Sequence, residues 1–237
     1  MGRYLLLEVR RTLRSVPFLA YTVGFPVLFY LLFTQVFGGG GGARAGRYMV
    51  SMALYGSIGA GLTGIGARIA VERTRGWTRT LALTPLRPAG YLAIKLAASL
   101  LLTLPVILLV MLCGFVVNGV RLPAGTWLAL VPLLWLATVP FTALGVAIGY
   151  TLRDEVANGV SVVLLFVLSI GGGLWLPVQA FPQWLAPVAR LLPSYRGGEL
   201  SWRLLAGHQP FGPGALLFAA WLVVLVAVAG WRFRRAS

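Results

Sequence analysis

Acidic residues are scarce in this chain of 237 residues, which carries five Asp and Glu against 20 Lys and Arg. Cysteine, histidine and lysine occur once each, as Cys113, His208 and Lys95. A single cysteine excludes an intrachain disulfide and a cysteine-ligated zinc site. A single histidine excludes an HExxH zinc centre and bis-histidine haem ligation. The single lysine ends Gly90-Tyr91-Leu92-Ala93-Ile94-Lys95. A P-loop needs Gly at 94 and Ser or Thr at 96, so the chain is not a P-loop ATPase by itself. Charge of either sign is also low, at 11% of residues, where soluble domains carry about 25%.

What is abundant is apolar: 59% of residues are hydrophobic. Too little polar surface remains to cover a water-facing globule, which places the chain in a bilayer. The net charge of +15 could indicate nucleic acid. Here, however, the arginines cluster between long apolar runs instead of lining one face. We read them as topology signals and expect no nucleic-acid partner.

A helix needs about 20 apolar residues to cross a membrane. Six candidate spans meet or approach that length: Phe18 to Phe37 with a kink at Pro26, Tyr48 to Val71, Tyr91 to Val120, Trp127 to Leu152, Val156 to Leu176, and Gly214 to Trp231. The pentaglycine Gly38 to Gly42 follows the first. Ala43-Arg44-Ala45 has the spacing of a signal-peptide cleavage site, but the preceding run is longer than the 7–15 residues of a signal core, so it is expected to remain as a span. Residues 1–16 place Leu5, Val9, Leu13 and Val16 on one helical face, as an amphipathic helix on the membrane surface would. An ordinary charged cap before the first span is the alternative.

Basic loops stay in the cytoplasm. An even number of spans then gathers Arg3, Arg10, Arg11, Arg14, Arg68, Arg73, Arg75, Arg79, Arg87, Lys95, Arg153, Arg232, Arg234 and Arg235 on the cytoplasmic side, with both termini. Arg44, Arg47, Arg121, Arg190, Arg196 and Arg203 fall outside. The acids Glu8, Glu72, Asp154, Glu155 and Glu199 all lie outside the spans or at their edges. With no acid at a span centre, proton-coupled transport and intramembrane aspartyl proteolysis are disfavoured. His208 sits in a Gly/Pro-rich external loop, where a turn role outweighs catalysis.

Small residues recur where helices could approach closely: Gly56, Ala60 and Gly64 in the second span, Gly145 and Gly149 in the fourth. Packing within one subunit and a seam between two subunits both fit this pattern. Gly171-Gly172-Gly173 is placed to break the fifth span. The segment 177–213, rich in Pro and Gly, fits short helices lying in or dipping into the external interface.

The loop between the second and third spans is the most informative. From Glu72 to Leu83 it reads as a short helix, basic at Arg73, Arg75 and Arg79 and apolar at Trp77, Leu81 and Leu83, bending at Gly76 and stopped by Thr84-Pro85. A two-faced helix on a cytoplasmic loop suits the groove of a soluble partner; an amphipathic loop on anionic lipid is the alternative. Glu72-Arg73-x-Arg75-Gly76, Leu81-x-x-Thr84-Pro85-Leu86 and Tyr91-Leu92-x-x-Lys95 resemble the signature of the membrane subunits of type-2 ABC exporters. A second stretch, Leu176-Pro177, Phe181-Pro182-x-Trp184-Leu185, Leu192-Pro193-Ser194-Tyr195 and Leu204-Leu205-x-Gly207, is similar to the same family between its last two spans.

The resemblance implies one all-α membrane domain over residues 1–237. It would have six transmembrane helices, an N-terminal interfacial helix (1–16), a coupling-helix loop (72–88) and external re-entrant helices (177–213). Carried over by position, Glu72, Arg73, Arg75, Gly76, Leu81, Thr84 and Pro85 serve coupling, and Pro177, Pro182, Trp184, Pro193, Tyr195 and Gly207 mark the re-entrant segment. The implied partners are a separately encoded ATP-binding subunit, which holds ATP and Mg, and a second membrane subunit forming a homodimer or heterodimer in a bacterial plasma membrane. No cofactor or metal is expected on this chain. The expected cargo is hydrophobic or amphipathic: a drug, natural product or lipid. A non-transporting membrane anchor recruiting a cytoplasmic partner through the same loop is the second reading. An intramembrane enzyme built on His208 with Ser201 or Ser194 is the third.

Overall fold

A computed structural model describes residues 7, 10, 20–37, 42–76 and 88–236, and every regular element among them is helical. A π-helical turn, Ala20–Gly24, leads into α1, Phe25–Phe37. The long α2, Gly42–Thr74, contains a π segment at Ala60–Gly66. There follow α3, Pro88–Val117, α4, Ala124–Thr151, and α5, Asp154–Gly171. After a single 3₁₀ turn, Val178–Ala180, come two short helices, α6, Leu185–Leu191, and α7, Pro193–Leu205. The last is α8, Gly214–Ala236. The expected interfacial helix lies outside the described residues except for Leu7 and Arg10.

Five described helices, α2, α3, α4, α5 and α8, are long and apolar enough to cross a membrane. The described apolar part of the first candidate, Thr22–Val36, is shorter than that. Burial divides the five. The apolar window of α2 is 94% buried and that of α4 67%, whereas α5 and α8 bury 22% each. Helix α4 is central, packing on the π segment of α2, on α3, on α7 and on α8. The peripheral pair expose apolar side chains such as Val163, Val167, Leu216 and Val223, surface that only lipid or another apolar chain can cover.

Three boundaries differ from the sequence reading, each for a local reason. Helix α2 begins at Gly42, six residues ahead of the expected start, since nothing in Gly42 to Arg47 breaks a helix. It also runs on through Glu72, Arg73 and Thr74, so these residues form the last turn of a long membrane helix and not the start of a separate loop helix. Gly76 ends it with φ +73°, a conformation costly for residues with a Cβ. Helix α5 stops at Gly171 because Gly172 and then Gly173, at φ +72°, turn the chain; the expected span had run to Leu176.

Candidate functional site

The last turn of α2 is where polar side chains concentrate. Glu72 reaches α3: Lys95 Nζ donates to Glu72 Oε1 at 2.6 Å, and the Tyr91 hydroxyl donates to Glu72 Oε2. Tyr91 and Lys95 are four residues apart and therefore share one helix face. Lys95 is only 2% exposed, so its ammonium depends on that carboxylate. Arg73 reaches α4, donating from Nη1 to the Gly149 carbonyl at 2.7 Å and lying 5.6 Å from the Tyr150 ring. The Gly149 carbonyl belongs to the final turn of α4, where helix carbonyls lack intrahelical partners and a cation is favoured. Thr74 reaches α5, with its hydroxyl donating to Asp154 Oδ2 at 3.3 Å. Tyr150 in turn meets Phe233 of α8, ring centroids 5.5 Å apart.

Three successive residues thus hold three different helices, and α4 passes the contact to a fourth. Whatever moves the chain just beyond Gly76 pulls on all of them. Glu72, Arg73, Arg75 and Gly76 are placed at this junction, with Arg75 exposed in the turn. Leu81, Thr84 and Pro85, with Trp77 and Arg79, lie outside the described residues. Sequence reasoning had quoted Tyr91 and Lys95 only as a motif, and had missed Tyr150, Asp154 and the Gly149 carbonyl. The four-residue spacing of Tyr91 and Lys95 beside an unpaired acid was the available signal.

The small-residue seam lies deeper between α2 and α4, inside this chain. A Cβ on Gly149 would lie 2.6 Å from the Gly66 carbonyl oxygen, one on Gly66 would lie 2.8 Å from that of Gly145, and one on Gly145 would collide with that of Gly61. Gly56 packs elsewhere, its would-be Cβ 2.6 Å from both Pro26 and Val106. Ala60 is buried and Gly64 only half-buried. The expected every-fourth-residue face is therefore displaced. Gly61 and Gly66 are five apart, and the π segment, with its i to i+5 hydrogen bonding, brings that spacing onto one side.

The remaining predicted residues surround the helices after α5. Pro193 opens α7 at its first turn, where a missing N–H costs nothing. Ser194 Oγ donates to the Leu168 carbonyl at 2.5 Å, tying α7 to the end of α5. A Cβ on Gly197 would lie 3.2 Å from Ala137, midway along α4. Tyr195 and Trp202 pack edge-on at 5.6 Å, and Trp202 Nε1 donates to Ser51 Oγ on α2 at 3.2 Å. Trp184 is 73% exposed, Pro182 is exposed, Pro177 is half-buried, and Gly207 turns the chain after α7 at φ +76°. The Ser194 hydroxyl is thus engaged with a backbone carbonyl, and the exposed His208 makes no side-chain hydrogen bond among the described residues. The serine–histidine enzyme reading has no geometry to stand on. Among the described residues no group of histidine, cysteine and carboxylates is arranged to hold a metal.

A multi-pass helical chain whose polar contacts gather at one loop end, with no assembled catalytic group among the described residues, has the architecture of a membrane transport subunit. Comparison with known proteins makes this specific. Residues 40–231 match the family described as ABC-2 family transporter protein, and the chain belongs to that family. It is also similar to a Bacillus subtilis (strain 168) protein whose provisional name is transport permease YvfS, at 29% identity over 231 residues, covering 96% of this chain and 94% of the relative. ABC-2 permeases generally work with an ATP-binding subunit.

Proposed function

We propose that this chain is the membrane half of an ATP-driven exporter for a hydrophobic or amphipathic substrate. A separate ATP-binding subunit carries ATP and Mg and docks on the loop from Glu72 to Pro88. A second membrane subunit, identical or related, completes the pathway against the apolar faces left open on α5 and α8. Both termini and the Glu72 junction face the cytoplasm, and the segment from Pro177 to Pro213 dips into the membrane from outside. The single observation that carries this reading is the junction itself, where Glu72, Arg73 and Thr74 grip α3, α4 and α5 in turn. When the nucleotide-binding partner closes on ATP, the loop moves with it. The three helix ends follow, provided the two bundle arrangements fit the partner's ATP-bound state unequally well. The glycine seam between α2 and α4 allows close helix approach without interdigitating side chains, a geometry suited to sliding.

Support beyond the junction comes from the family and from α7, which packs against the middle of α4 at Gly197 and Ala137, a depth natural for a helix that re-enters the bilayer. The test is to reconstitute the chain with its ATP-binding subunit in inverted vesicles. ATP hydrolysis should rise above that of the ATPase subunit alone, and an apolar dye should accumulate inside only with ATP. No stimulation, together with an inert Glu72→Ala variant, would leave the anchor reading in its place.

A further inference from the structure

At the far end of α2 the chemistry is different. Arg47 lies 25 residues before Glu72, about 37 Å along a helix rising 1.5 Å per residue. Here Arg44, Arg47, Tyr48, Pro177 and Gln179 line a cavity of about 420 Å³, within the size range of small-molecule sites. The Arg47 guanidinium is held 4.4 Å from the centroid of the Trp202 ring, and among the described residues it has no ion-pair partner. The only acid on this side, Glu199, is engaged with Arg196 at 2.7 Å. The cavity is therefore positive, with no carboxylate to neutralise it.

The wall continues into an aromatic cluster. Tyr48 stacks on Phe33 with centroids 5.8 Å apart, and Phe33 meets Trp175 at 5.9 Å. Trp175 also meets Phe29 at 4.7 Å and Tyr55 at 5.6 Å, and it sits two residues before Pro177 of the cavity. Its indole N–H is buried and without a hydrogen-bond partner among the described residues, which is costly unless an acceptor arrives. Phe25 and Phe166 leave the outer edge of the cluster exposed, at 42% and 38%. Cations beside a continuous aromatic wall match one kind of molecule, with an anionic head and an apolar body.

Resting on the transport reading above, we propose that this cavity and cluster bind an amphiphile bearing a carboxylate or phosphate head, with Arg47 and Arg44 on the head and Phe33, Tyr48 and Trp175 against the body. Positive-inside topology disfavours arginine on this side, and a ligand-facing role accounts for keeping two of them together.

The test measures binding without ATP to the complete complex in phosphatidylcholine nanodiscs, using labelled dodecyl phosphate. Tight binding is expected for dodecyl phosphate, with dodecyltrimethylammonium at least about tenfold weaker and inorganic phosphate a poor competitor, since a charge-assisted hydrogen bond contributes a tenfold effect or more. Arg47→Gln should weaken binding about tenfold and Arg47→Lys should restore part of it. Gln179→Glu, at an exposed position that leaves the fold untouched, should weaken it as well. Arg121→Gln, on the same side but outside the cavity, should change nothing. Displacement by phosphatidylglycerol would identify the amphiphile as a bilayer lipid; no displacement would identify it as a separate solute. Equal binding of both dodecyl compounds, full competition by inorganic phosphate, or indifference to both Arg47→Gln and Gln179→Glu would overturn the proposal. Stimulation of ATP hydrolysis in the same preparation reads the transport function separately. Lost head-group selectivity with intact stimulation sinks only the cavity assignment, and the converse sinks only the exporter reading.

Discussion

The two ends of α2 solve the problem of placing charge beside a membrane in opposite ways. At the Glu72 end each charged group has a fixed partner: Lys95 on Glu72, Arg73 on a helix-terminal carbonyl, Asp154 on Thr74. At the Arg47 end the cation rests on a tryptophan face and borders an open cavity. Paired charges in short hydrogen bonds fix geometry and transmit displacement, since moving one partner leaves the other buried and unpaired. A cation on an aromatic face keeps its donors available. The first arrangement suits a mechanical joint and the second a ligand.

Substitutions can break or sharpen that contrast. The largest effect is expected from Glu72→Ala. Stranding the buried Lys95 ammonium should cost about 3 kcal/mol or more, seen as a lowered thermal midpoint and lost stimulation of the ATPase. The double variant Glu72→Ala with Lys95→Met should regain most of the stability and none of the coupling, because the charge problem is gone but the tie is too. Next is Gly145→Val, whose side chain collides with the Gly61 backbone. Forced separation of α2 and α4 should cost about 1–3 kcal/mol, measured by thermal unfolding in detergent. Arg73→Gln loses a charge-assisted bond to Gly149 and should cost about 1.5 kcal/mol, with a fall in ATPase stimulation that exceeds the fall in stability. At the other end, Arg47→Gln should cost only about 1 kcal/mol of stability. If it cost more than Glu72→Ala, the contrast between joint and ligand site would be reversed. Thr74→Val is the smallest: a 3.3 Å bond at an exposed position should contribute under about 0.5 kcal/mol.

How much of this was legible depended on range. Apolar runs and their arginine borders located every long helix to within a few residues, because crossing length is set by local composition. The ends were misjudged where a single glycine decided them: Gly172 and Gly173 closed α5 early, and Gly76 closed α2 late enough to keep Glu72 inside it. The small-residue seam was partly legible. Gly145 and Gly149 were found by their four-residue spacing, but their partners Gly61 and Gly66 were not, since five-residue spacing matters only inside a π segment. Lys95 was counted as a loop charge and is in fact one of the most buried polar residues described.

The sequence by itself determined that this is a multi-pass membrane chain without a P-loop of its own, with a basic loop after its second span. Those properties follow from hydrophobicity, chain length and residue counts, none of which requires knowing what touches what. Only the tertiary structure decided that Glu72, Arg73 and Thr74 each hold a different helix, that a π segment moves the glycine seam onto Gly61 and Gly66, and that Arg47, Tyr48 and Gln179 share a cavity with Pro177. Those contacts join residues far apart in the chain, and a one-dimensional pattern carries no distance between them.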